Sequence, residues 1–157
     1  MQLPPRLESL VLKNGLHLGL LSEADRALVL ALAACAIGPG ASLREDEVNR
    51  RLSDWLVEVG SMVQTDHVEL RRWLVDAGYL ARDGWGYAYA RGPAELDLAR
   101  QVLGTTDGTA LASAVRSVRV AAQSARIARR RAFEAQGSSV AGKLSSHHPR
   151  DCGRSRG

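Results

Sequence analysis

The sequence predicts a mainly α fold carrying one small β-hairpin, and three observations lead there. Two stretches, 42–59 and 65–77, each open on residues that cap a helix N-terminus and then repeat apolar side chains at helical spacing. Gly78 stops the second, and residues 79–91 follow as two short aromatic and aliphatic runs around Asp83-Gly84, a hairpin signal. No Pro or Gly interrupts residues 109–135, which predicts one long helix. A short helix delivered into a two-stranded wing sharpens the expectation. It becomes a winged helix-turn-helix over residues 10–91, a C-terminal helical extension over 92–136 suited to dimerisation, and a disordered tail over 137–157.

Taken in order, residues 7–12 and 16–21 are apolar runs separated by Lys13-Asn14-Gly15. Asn-Gly is a turn signal, and a hairpin or a helix-turn-extended segment fits equally well. Ser22-Glu-Ala-Asp25 starts a first helix in the manner of a capping box, and Gly38-Pro39-Gly40 ends it after about Cys35. Leu28, Leu32 and Cys35 share one side, yet Leu30 lies opposite and most remaining positions are Ala or Val. Such a helix is apolar nearly all round and is expected to be covered on both faces, by the core and by either the C-terminal helix or a second subunit.

Ser42-Leu-Arg-Glu45 offers the next capping box, and Val48, Leu52, Trp55, Leu56 and Val59 mark the core side of a second helix. Asp46, Arg50 and Asp54 give it a solvated face, and Gly60-Ser61 closes it. The third helix takes Thr65 or Asp66 as its cap, with Leu70, Leu74 and Ala77 inward and His67 and Trp73 at the margin. Thr65, Val68, Arg71, Arg72 and Val75 point outward. Arg72 sits between Glu69 and Asp76 at minus three and plus four, so Arg71 is expected to be the freer guanidinium. Trp55, Trp73, Tyr79, Tyr87 and Tyr89 recur with the apolar positions and are expected to be structural.

Pro93 opens a short fourth helix that Gly104 stops. On the long helix Leu111, Val115, Val118, Ala122 and Ala125 form a small-residue seam. Arg116, Arg119, Arg126 and Arg130 lie beside it within an arc of ~80°.

A chain of 157 residues can bury one core without staples. Its net charge of +4 is unevenly spread: residues 1–91 hold 10 basic and 12 acidic side chains, and residues 92–157 hold 11 and 5. Attraction for polyanions therefore resides mostly in the C-terminal part. The two cysteines, Cys35 and Cys152, imply no disulfide framework, and a reducing, cytoplasmic setting is expected. No signal peptide is read at the N-terminus. The longest apolar stretch, residues 27–37, is too short to span a bilayer.

Gly15-Leu16, Arg26, Glu47-Val48-Asn49 with Leu52, and above all Leu70-Arg71-Arg72, Leu74-Val75-Asp76, Gly78, Leu80, Arg82 and Tyr87 carry a family pattern. Over residues 10–91 the chain resembles a bacterial family catalogued as a domain of unknown function, serial number two thousand and eighty-seven. Family members carry an aromatic residue and a Ser or Thr cap before Glu-Val-Asn, whereas Leu43 and Arg44 stand here and move the expected cap to Ser42. The resemblance implies a helix-turn-helix-like domain of transcriptional regulators, and it covers nothing beyond Arg91.

No pair of carboxylates, Gly-rich phosphate cradle or Ser-centred elbow marks catalysis, so an enzyme is not expected, nor is a cofactor. His147, His148 and Cys152 are too few for a structural metal site. The expected activity is binding of double-stranded DNA by a transcription regulator acting as a homodimer, with no membrane partner and no effector specified. The expected contacts are Gln64, Thr65, His67, Arg71 and Arg72 on and before the third helix, Arg82 and Trp85 on the wing, and Arg119, Arg126 and Arg130 on the long helix. The alternative is a protein-interaction module on the same scaffold, favoured by the net acidity of residues 1–91.

Overall fold

A computed structural model describes residues 1–144. Its elements are α1 (Pro5–Val11), a 3-10 turn (Leu18–Leu20), α2 (Glu23–Ile37), β1 (Gly40–Arg44), α3 (Glu45–Glu58), α4 (His67–Asp76), β2 (Ala81–Arg82), β3 (Ala88–Arg91), α5 (Pro93–Leu103) and α6 (Gly108–Leu144). The fold is mainly helical with a small antiparallel sheet of three strands, ordered β1-β3-β2. Met1–Val120 form one compact unit, so α1 and α5 join the part expected to fold at 10–91. A second unit begins at Ala121 within α6.

Of the two readings of the N-terminal segment, the helix followed by an extended piece is found. α1 buries Leu7, Leu10 and Val11, and Leu16 then forms a parallel bridge to Val63. The Leu16 amide donates to the Met62 carbonyl at 2.8 Å and the Leu16 carbonyl accepts from Gln64 N at 2.8 Å. These two bonds fix the turn between α3 and α4.

α2 is the buried centre. Ser22 caps it by accepting from Asp25 N, as expected, and Val29 to Cys35 and Ile37 are buried without a break except at Ala36. Its cover comes from α1, α3, α4 and α5. The start of α6 also reaches it, because a Cβ on Gly108 would collide with the Cys35 carbonyl. Asp25 is the one acidic group buried along it, and Arg6 of α1 grips it through two 2.7 Å bonds, Nε to Oδ1 and Nη2 to Oδ2.

The expected capping box at Ser42 is not formed. Residues 40–44 are instead a strand whose Leu43 and Arg44 pair with Tyr89 and Ala88, and a bulge between Gly40 and Leu43 leaves Ser42 at φ 63°. Arg44 becomes the N-cap of α3 without a side-chain cap, and it binds Asp46, which therefore does not serve Arg50. A sheet of three strands replaces the expected isolated hairpin because β1 finds β3 across almost fifty residues, a pairing that local pattern does not encode.

α5 follows the sequence closely, with Pro93 in its first turn, Glu95 accepting from Gly92 N at 2.9 Å, and Gly104 left-handed at its end. α6 runs beyond the expected stop: residues 137–144, assigned to the tail, are helical, and the rest of that tail, 145–157, lies outside the described residues. His147, His148 and Cys152 lie there as well. No helix among the described residues is long and apolar enough to cross a membrane.

Two expectations follow. Gly108→Ala should lower stability by about 2 kcal/mol or more, since backbone rather than a flexible side chain meets the new methyl. Gly104→Ala, where nothing lies within 4 Å but φ is 76°, should cost about 1 kcal/mol; urea unfolding of both variants measures the difference. The Arg6 hydrogen bonds hold the Asp25 carboxyl below the ordinary carboxylate range. A depressed folded pKa contributes stability that is complete above the ordinary value, about 3.9, and is lost as pH falls through the folded value. Thermal melts between pH 7 and pH 2 should therefore show a steeper acid loss in the wild type than in Asp25→Asn.

Candidate nucleic-acid interface

α3 and α4 are joined by a short turn, and α4 is capped by Asp66. That carboxylate accepts from Val68 N and Glu69 N, both at 2.8 Å, which holds its pKa below the ordinary value, the Glu69 bond being the larger cause. Thr65 is not the cap; its hydroxyl donates to Glu69 at 2.8 Å. Leu70 and Leu74 are buried, whereas Ala77, expected inward, is exposed at the C-cap, and Gly78 turns left-handed after it at φ 79°. The outer face of α4 presents Glu69, Arg72 and Asp76.

The relation of the two arginines is the reverse of the one expected. Arg71 bonds the Asn49 side chain, lies 3.0 Å from Glu45, stacks 5.5 Å from the Tyr89 ring and keeps only 12 % of its side chain exposed. Arg72 is exposed. Arg71 is thus the engaged guanidinium and Arg72 the freer one, because Glu45 and Asn49 reach Arg71 from α3 and not along α4.

The loop of the β2–β3 hairpin is built on Asp83. Its amide donates to Ala88 O at 2.9 Å and its carboxylate accepts from Tyr87 N at 2.9 Å. The left-handed residue of the loop is Gly86, at φ 77°, rather than Gly84 of the Asp-Gly pair. Arg82 folds beneath this loop, 6.0 Å from the Tyr89 ring, and a Cβ on Gly86 would strike its guanidinium. Trp85 and Tyr87 stand out at the tip, 84 % and 79 % exposed; both tyrosines were expected to be structural, but only Tyr89 is buried, because Tyr87 lies in the loop before β3.

The elements converge on one cleft of about 270 Å³ that brings together Arg71, Arg72 and Arg82, with Glu45, Val75, Asp76 and Tyr89 completing its walls. The other expected contacts lie elsewhere. His67 is half-buried in the first turn of α4, and Gln64 lies against Gly15. Arg119 turns inward: its Nε donates to Val11 O at 3.1 Å, Nη1 to Glu58 O at 2.7 Å and Nη2 to Val59 O at 2.8 Å. It thereby satisfies carbonyls at the ends of α1 and α3, and burial pushes its pKa down. Arg116 pairs with Glu58. Arg126 is exposed, and Arg130 reaches Glu134 at 2.9 Å.

Sequence reasoning missed the partners Asn49, Glu45 and Tyr89, although Glu45 and Asn49 stand four apart on one helix face and so could meet a single side chain. It also missed Arg91, which is 1 % exposed and donates to Ala34 O.

Residues 21–91 match the model of a family described as an uncharacterized protein conserved in bacteria (DUF2087). Neither the curated proteins nor the solved structures contain a match to the chain.

The inversion gives a direct test. Arg71→Ala should lower stability by about 1–3 kcal/mol, leaving Asn49 and Glu45 without their donor. Arg72→Ala should change it by no more than about 0.5 kcal/mol. Equal losses in denaturant titrations would contradict the assignment.

Proposed function

We propose that this chain is a DNA-binding transcription regulator in which α3 and α4 act as a helix-turn-helix and the β2–β3 hairpin as its wing. The observation that carries the reading is the cleft shared by Arg71, Arg72 and Arg82, which joins the outer face of α4 to the wing. The element order α2, β1, α3, α4, β2, β3 supports it, being the order expected of a winged helix. On this reading Arg72 and Arg82 contact phosphates, Arg71 fixes their frame, and Trp85 covers the backbone beside the groove. The regulator binds as a homodimer in the cytoplasm, a setting in keeping with the free, buried thiol of Cys35.

A second reading, a protein-interaction module, is favoured by Glu69 and Asp76 on either side of Arg72 and by the exposed pair Trp85 and Tyr87. Titrating salt against random duplex DNA separates the two. If α4 and the wing hold DNA, Arg72→Ala with Arg82→Ala should weaken binding about tenfold or more and flatten the log–log salt slope by about 2. Duplex binding that ignores this double variant removes α4 from the interface, and an absence of binding at low salt leaves the protein-interaction reading.

A further inference from the structure

From Ala121 onward α6 carries an exposed face of basic and aromatic side chains. On a helix advancing 100° per residue, Arg126, Arg129, Arg130 and Phe133 fall within an arc of ~100°, spaced i, i+3, i+4 and i+7. Phe133 lies between the arginines on this arc and is 78 % exposed, and all three arginines are exposed. The one acid nearby, Glu134, meets Arg130 in a pair whose side chains are 83 % and 60 % exposed, which is too well solvated to cancel the face. Ala121, Ala128, Ala132 and Ala135 line the other side, where Arg131 is a further exposed arginine, and Ile127 lies between Arg131 and the Arg126 face.

We propose that the face formed by Arg126, Arg129, Arg130 and Phe133 is a binding surface for single-stranded nucleic acid. Guanidiniums supply phosphate contacts, and the phenyl ring set among them supplies a platform on which an unpaired base stacks. The placement of Phe133 selects this partner. A helix lying on a lipid surface holds its aromatics opposite its basic face, whereas here the aromatic is within it. In a duplex the π-faces of the bases are already stacked, so the ring would have no partner there. This surface does not depend on the cleft of Arg71, Arg72 and Arg82.

The test uses the full chain and fluorescence anisotropy with a labelled 20-nucleotide oligothymidylate and a duplex of the same length. Phe133→Ala and Phe133→Leu should each weaken binding to the single strand about fivefold or more and leave binding to the duplex unchanged. Replacing Arg126, Arg129 and Arg130 by Ala, which keeps helix propensity, should weaken the single strand at least about tenfold and reduce its salt dependence. Arg72→Ala with Arg82→Ala should affect the duplex alone, so failure here is distinguishable from failure of the helix-turn-helix reading. The proposal is overturned if both Phe133 variants bind the single strand as the wild type does, if they weaken duplex equally, or if no single strand binds at low salt. Association with vesicles containing phosphatidylglycerol in place of nucleic acid would overturn it as well.

Discussion

A helix with no polar face has to be covered all round, and α2 is such a helix. α1, α3, α4 and α5 pack on it, the start of α6 reaches its Cys35 carbonyl, and three side chains donate to its carbonyls: the Tyr79 hydroxyl to Ala27 O at 3.3 Å, Arg91 to Ala34 O and Arg51 to Ile37 O. The last carbonyls of a helix lack intrahelical partners, so its C-terminal end can be buried only when donors come from outside. Arg91 and Arg51 meet that requirement from β3 and α3. The arrangement is not complete, since Nε and Nη2 of Arg91 remain buried without partners and so oppose the stability that its one bond supplies. The rest of the compact unit, the β2–β3 hairpin included, is positioned by what α2 requires.

Arginine consequently does two different jobs in this chain. Arg71, Arg91 and Arg119 are internal donors, each bridging elements far apart in sequence, while Arg72, Arg126 and Arg129 are exposed. The guanidinium suits both: five fixed donors can satisfy several carbonyls at once, as Arg119 does for Val11, Glu58 and Val59, and its stem packs against apolar surface on the way. Charge alone does not tell the two kinds apart.

This is why the fold was more legible in the sequence than the site. Caps at Ser22 and Asp66, stops at Gly78 and Gly104 and the proline start of α5 are local chemistry, and local chemistry is what a sequence displays. β1 was hidden because Ser42-Leu-Arg-Glu45 satisfies a capping pattern as well as a strand, and the partner that decides between them is β3. Likewise the helical neighbours of Arg71 along α4 were read correctly, and the residues that actually hold it stand on α3 and β3. The Tyr87 and Tyr89 pair shows the same limit: period two says that they share a face, but the short loop after Asp83 lets Tyr87 escape the sheet.

The charge distribution bears on how any polyanion would be held. Residues 1–91 are net acidic, so the α4 cleft has no net positive charge behind it, and within it Arg71, Arg72 and Arg82 share the walls with Glu45 and Asp76. The helix from Ala121 onward has the opposite character, with exposed arginines and a single opposing carboxylate before its described end. A field of that kind raises encounter rates and falls away with salt, whereas a cleft of paired charges selects among partners once contact is made.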